Sequence, residues 1–237
     1  MKIQKAFILF TACLLLFTDL TAGSRDLPAE ERKVADFTGI NVAVPAMVYL
    51  VQGDSQKLVV EGTDRVLDNL VTEVKNGELN IYLPGRWSLR RNDKLNVYLV
   101  VTELNTLKLS GSGKIYGEGL IRAGDLSVAI SGSGRIELEE LNAENLSSVI
   151  SGSGRFNIGG GNKIVKHKIS ISGSGRVESG SLQAAVVNAR VTGSGRCQVN
   201  VTDNLEARIT GSGRVVYTGN PLVDSKISGS GRVVNAN

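Results

Sequence analysis

The pentapeptide Ser/Thr-Gly-Ser-Gly-Arg/Lys occurs seven times in this 237-residue chain, beginning at Ser110, Ser131, Ser151, Ser172, Thr192, Thr210 and Ser228. Successive starts are 21, 20, 21, 20, 18 and 18 residues apart. A near-constant period of this length points to a stacked, quasi-one-dimensional architecture in which each unit touches only its neighbours. Function on such a scaffold is expected on surface columns that repeat from unit to unit, and less on a lone catalytic cluster.

Each unit alternates. Leu109, Ile130, Ile150, Ile171, Val191, Ile209 and Ile227 precede the pentapeptide; Ile115, Ile136, Phe156, Val177, Cys197, Val215 and Val233 follow it. In an extended strand these residues share a face with the two glycines, and Ser/Thr, Ser and Arg/Lys share the other. The apolar face is expected to turn inward. Glycine at two inward positions fits either a corner in the backbone or the close approach of an opposing wall, and the pattern does not choose between them.

Segments such as Leu126 to Ile130, Ile169 to Ile171 and Ala207 to Ile209 are strand-prone, with turn residues such as Gly117-Glu118-Gly119 and Gly159-Gly160-Gly161-Asn162 between them. No helical period is sustained. A coil of about 20 residues holding two or three short strands reads as an all-β, parallel β-helix, because a leucine-rich repeat would need a Leu-x-x-Leu-x-Leu frame. Residues 34–106 lack the pentapeptide yet read alike, with strands expected over 34–40, 47–52, 57–61, 78–83 and 95–101. Asn76-Gly77 signals a hairpin, and 65–70 a helical turn. This segment is expected to begin the same sheet and cap the first repeated coil.

The division expected is a signal peptide over 1–22, a flexible linker over 23–33, and one β-helix domain over 34–237, with capping coils to 106 and seven repeated coils from 107. Lys2 and Lys5, the apolar run from Ala6 to Phe17 and Leu20-Thr21-Ala22-Gly23 have the layout of an export signal. The competing reading is lipid attachment at Cys13, which sits inside the apolar run. No later segment is apolar enough for a membrane helix. The last coil stops at Asn237 with its edge unpaired, so a homo-oligomer or partner contact is expected there.

Other chemistry is thin. The net charge of +4 is too small to imply nucleic-acid binding. Cys197 fills an apolar slot and reads as buried. The single histidine, His167, lies in a basic strand and reads as solvated. Glu137, Glu139, Glu140 and Glu144 read as a solvated turn, and Trp87 as a half-buried cap residue in a basic loop. Gly-Ser-Gly-Lys/Arg lacks the full phosphate-loop spacing. No catalytic residue, metal set or cofactor is read.

The sequence resembles the head GIN domain family of auto-transporter adhesins, common in Bacteroidetes. The resemblance runs from Phe37-Thr38-Gly39-Ile40 through Val48 to Asp54, Val60-Glu61-Gly62 and Asn76 to Ile81, to Leu104 to Gly113 and the later repeats. Thr102-Glu103 departs from a pattern that often has proline there. The resemblance implies a right-handed parallel β-helix and export, to the periplasm or outer surface of a Gram-negative bacterium. It brings no catalytic residues.

The outward columns are the candidate site. Lys114, Arg135, Arg155, Arg176, Arg196, Arg214 and Arg232 fall at equivalent positions, with Ser133, Ser153 and Ser174 beside them. Arginine binds carboxylate, sulfate and phosphate through a planar fork, so a non-catalytic adhesion module for an acidic polysaccharide or another envelope component is expected. The competing reading of this column is a charged surface that keeps a flat sheet soluble. Two further functions stay open. One is a carbohydrate-active β-helix enzyme, which would need paired carboxylates in a groove. The other is a structural envelope protein that assembles with itself.

Overall fold

The computed structural model describes residues 27–85, 89–90 and 92–237. The expected signal peptide, Cys13 and Trp87 lie outside the described residues. Among the described residues, seventeen strands join in one sheet that winds on itself as a β-solenoid. Strands β1 (Ala29–Glu31), β2 (Gly39–Ala43), β3 (Met47–Gln52) and β4 (Lys57–Gly62) precede a single helical turn, α1 (Asp64–Leu67). Then come β5 (Val71–Lys75), β6 (Glu78–Tyr82), β7 (Leu95–Val101) and β8 (Thr106–Gly111).

The repeated coils follow as β9 (Lys114–Gly132), β10 (Arg135–Gly152), β11 (Arg155–Ile158), β12 (Ile164–Gly173), β13 (Arg176–Gly193), β14 (Arg196–Gly211), β15 (Arg214–Thr218), β16 (Leu222–Ser228) and β17 (Arg232–Asn235). Every pairing among them is parallel, and like slots meet: Ile115 faces Ile136, Leu126 faces Leu146, and Ile130 faces Ile150. The shared slots are inward, so Ile115, Ile136, Phe156, Val177, Cys197 and Val215 stack as one fully buried column.

The amino-terminal segment continues this stack. β2 pairs in parallel with β8, and β3 with β9. Beyond β6 and β7 the direction reverses: β5 is antiparallel to β6, and β4 to β7. Asn76 and Gly77, both at positive φ (52° and 73°), make the tight turn of the β5–β6 hairpin.

Two expectations are corrected here. The linker expected over 23–33 contributes β1, which pairs antiparallel with β4. The edge of β4 provides free backbone groups for it, and Arg32 secures the exit by donating to the Leu67 carbonyl at 2.7 Å and to that of Leu70. Val34 to Thr38 form no strand. Ladder partners on both sides begin only at Gly39, which lies between Glu78 and Thr106.

The two glycines of the pentapeptide have different tasks. The first, as at Gly152, has φ of 114° and turns the corner, where a Cβ would lie 2.6 Å from the Gly132 carbonyl oxygen. The second, as at Gly154, is buried against the coil before it, where a Cβ would lie 2.5 Å from Ile130 Cγ2. Corner and close wall are both present, one at each glycine. The corner is stitched by backbone amides: Ser153 donates to Gly132 at 2.9 Å and Arg155 to Gly134 at 3.0 Å.

Candidate functional site

The seven cations stand in one unbroken register. Lys114 pairs with Arg135, and the column continues through Arg155, Arg176, Arg196, Arg214 and Arg232. Each sits immediately after the corner glycines, at the start of a strand, so the coil geometry fixes its height. Parallel strands are about 4.8 Å apart. At that spacing unit charges repel by roughly 0.9 kcal/mol in water, and salt screens it.

Compensation inside the protein is sparse. Arg135 Nη1 lies 3.4 Å from Glu137 Oε1, with both side chains about one-third exposed. A surface pair of this kind contributes at most about 1 kcal/mol. Among the described residues, no carboxylate pairs with Lys114, Arg155, Arg176, Arg196, Arg214 or Arg232. Ser133, Ser153 and Ser174 are exposed at the corners, and their hydroxyls make no hydrogen bond to described residues. The stitching between coils uses amides and leaves these side chains to solvent.

A second basic surface escapes a reading of the sequence alone. Lys168 and Arg190 line one groove with Ser147, Ser170, Asn188 and Arg208, enclosing about 420 Å³. Arg208 Nη2 is held there by Asp224 at 2.6 Å and Glu206 at 3.3 Å, which draws Asp224 below the usual carboxylate range through the hydrogen bond. The alignment of Lys168 with Ser147 and Asn188 is legible from their distance to the next pentapeptide, but the residue types vary and form no obvious column.

His167 is the clearest correction: it is not solvated but 1% exposed. Its neighbours in register are Leu146 and Val187, both inward. Alternation in the local sequence suggests a basic strand, whereas the coils above and below decide which residues turn in. His167 Nε2 lies 2.9 Å from the Ser148 hydroxyl, also buried. Burial lowers its pKa to about 3, so the imidazole is neutral. Glu137, Glu139, Glu140 and Glu144 lie within β10 and not in a turn; Glu139, Glu140 and Glu144 are exposed as expected, while Glu137 and Glu139 line a pocket with Tyr49 and Tyr116.

Cys197 is fully buried, and burial pushes its thiol up to about 12. A thiol that neither ionises nor meets solvent is inert. An alkylating reagent at pH 8 is expected to leave it unmodified in the native protein and to modify it in denaturant, as peptide mapping would show. Fast native labelling would contradict the packing. Among the described residues, no group of three His, Cys, Asp or Glu side chains is arranged to hold a metal ion.

Residues 36–221 match the family described as "Putative auto-transporter adhesin, head GIN domain". The chain belongs to this family. Its solenoid is similar to a crystal structure of a putative adhesin from Bacteroides fragilis, with 23% identity, a TM-score of 0.84, and coverage of 90% of this chain and 98% of that one. It is also similar to a putative lipid binding protein from Parabacteroides distasonis, with 25% identity, a TM-score of 0.75, and coverage of 91% and 98%. A putative adhesin from the same organism shows 26% identity and a TM-score of 0.70, covering 89% and 97%. No curated protein matches the chain. Head GIN membership and the register together support a binding module. No helix among the described residues is long and apolar enough to cross a membrane.

Proposed function

We propose that this head GIN protein is an exported, non-catalytic adhesion module of the cell envelope. Its arginine column takes a repeating polyanion, an acidic polysaccharide in the first place. The observation that carries this reading is the in-register column of seven cations, of which only Arg135 has a carboxylate partner among the described residues, bordered by free serine hydroxyls. A polymer with one anionic group per sugar presents charge along a line, as the column does, and the hydroxyls match sugar hydroxyls. The structural neighbour described as a putative lipid binding protein supports a binding role on this fold. The export signal read over 1–22 supports a location in the periplasm or on the outer surface.

The test compares wild type with Arg155→Ser/Arg176→Ser/Arg196→Ser against polygalacturonate across a salt series. Three exposed contacts of about 0.5 kcal/mol each predict roughly tenfold weaker binding in the variant. Wild-type affinity should fall as salt rises. Equal binding by both proteins, or none by wild type, would leave the column as a solubility device.

A second reading adds self-association. Leu222, Val223 and Ile227 on β16 are 78%, 41% and 40% exposed, and one edge of β16 has no partner strand among the described residues. Sedimentation that finds only monomer at high concentration would remove it.

A further inference from the structure

An aromatic stack ends in a pocket beside the basic column. Tyr98, Tyr49 and Tyr116 follow one another in register on β7, β3 and β9. The rings of Tyr49 and Tyr98 stack with centroids 5.3 Å apart, and those of Tyr49 and Tyr116 at 6.0 Å. The next two places in this column are taken by Glu137 and Asn157, so no fourth ring follows Tyr116. There a pocket of about 430 Å³ opens, lined by Tyr49, Tyr116, Glu118, Glu137, Glu139 and Asn157 among others.

The polar groups around this pocket are partly uncommitted. Glu139 Oε2 accepts from the Gly119 amide at 2.7 Å, and Glu137 is paired with Arg135. Glu118 is partly buried and has no hydrogen-bond partner among the described residues. Its carboxyl reaches solvent and is open to a ligand's donor groups. Its pKa is raised, first by burial and then by Glu139. The lining carries three carboxylates and no cation, so the pocket is acidic and disfavours an anion, although Lys114, Arg135 and Arg155 stand at its border.

We propose that this pocket is a subsite for a neutral or amino-sugar pyranose ring. The ring continues the tyrosine stack on Tyr116, and its hydroxyls or amine donate to Glu118, Glu137 and Glu139. The chemistry is that of small-molecule sites at large: an apolar face provides contact area, and a few polar groups fix orientation. Pyranose C–H groups meet the electron-rich ring face, and adjacent hydroxyls match a carboxylate acceptor. An all-acidic partner such as a uronic acid is disfavoured by charge. The site therefore differs from the arginine column in the sugar it takes, and stands whether or not that column binds a polyanion.

Saturation-transfer NMR on the purified protein, with N-acetylglucosamine, galactose and mannose trisaccharides and a galacturonic acid trisaccharide, provides the test. At least one neutral or amino-sugar probe should bind, with affinity little changed by salt, and the acidic probe should not occupy the site. Tyr116→Asn and Glu118→Gln should each weaken binding at least tenfold. Asn is the residue that Asn157 already places in this column, so the first variant keeps the fold, which circular dichroism checks. Arg155→Ser/Arg176→Ser/Arg196→Ser should bind the neutral probe as wild type does. No neutral or amino-sugar binding by wild type, or equal binding by folded Tyr116→Asn, overturns the proposal. Loss in the arginine variant alone would assign any signal to the column and also overturn it.

Discussion

Gly173→Ala is expected to destabilise the protein by about 1–5 kcal/mol, the largest effect of any one-methyl change described here. Gly173 has φ of 111°, a region that L side chains rarely adopt, and an added Cβ would lie 2.6 Å from the Gly152 carbonyl oxygen and 3.3 Å from its carbonyl carbon and Cα. Strain of this kind costs about 1–3 kcal/mol and overpacking a similar amount. The unfolded chain returns only about 0.4–1 kcal/mol through lost flexibility. The obstacle is backbone, which is itself bonded: the Gly152 carbonyl accepts from Ser174 at 2.9 Å. It cannot swing away as a side-chain tip would. Urea unfolding followed by circular dichroism measures the loss, and hydrogen exchange should show the coils on both sides opening first. Gly124→Ala is the control, because a Cβ there meets nothing within 4 Å and φ is ordinary. It should fall within about 0.5–1 kcal/mol of wild type. A Gly173→Ala loss no larger than the control's would refute the corner geometry.

Acid should weaken the fold through His167. Its folded pKa is about 3, against about 6.5 in an unfolded chain. Between these values the unfolded state binds a proton that the folded state refuses. Stability is therefore full above about pH 6.5 and falls toward pH 3, by up to roughly 1.4 kcal/mol per unit. His167→Leu removes this dependence, and leucine already fills the same slot as Leu126, Leu146 and Leu205. Between pH 7.5 and 5, wild type should lose about 2 kcal/mol more than the variant, with the acid response of the remaining groups common to both. The single variant leaves the Ser148 hydroxyl buried without a partner, at about 1–3 kcal/mol. Adding Ser148→Val should recover that. Parallel pH profiles for wild type and His167→Leu would mean that the imidazole reaches water.

Much of this fold is legible in the sequence, because a solenoid repeats its own answer. The pentapeptide sets the coil length, and alternation around it marks Ile136, Phe156 and Val177 as interior and Arg135, Arg155 and Arg176 as exterior. β3 and β7 coincide with the segments read as strands. His167 misleads because its own neighbours are lysines, although it lies five residues before Ser172, just as Leu146 lies five before Ser151. Counting from the landmark carries more information than local alternation, since hydrogen bonding to the next coil decides which residues turn in. β1 and the tyrosine pocket are hidden for another reason. Both depend on contacts between segments far apart in sequence, with Ala29 facing Glu61 and Tyr98 on Tyr49, and no repeat advertises them.

The stitched corners have one more consequence. Because Ser153, Ser174, Ser194 and Ser212 each donate to the glycine carbonyl of the coil before, every joint is the same joint. At its corner, any coil can stand in for another. Copying one such unit of the gene would insert a link that fits above and below, and would lengthen the cationic row by about 4.8 Å. The molecule is in effect a ruler whose number of divisions is open to change, so the length of its cationic row can be reset while every corner keeps the same stitch.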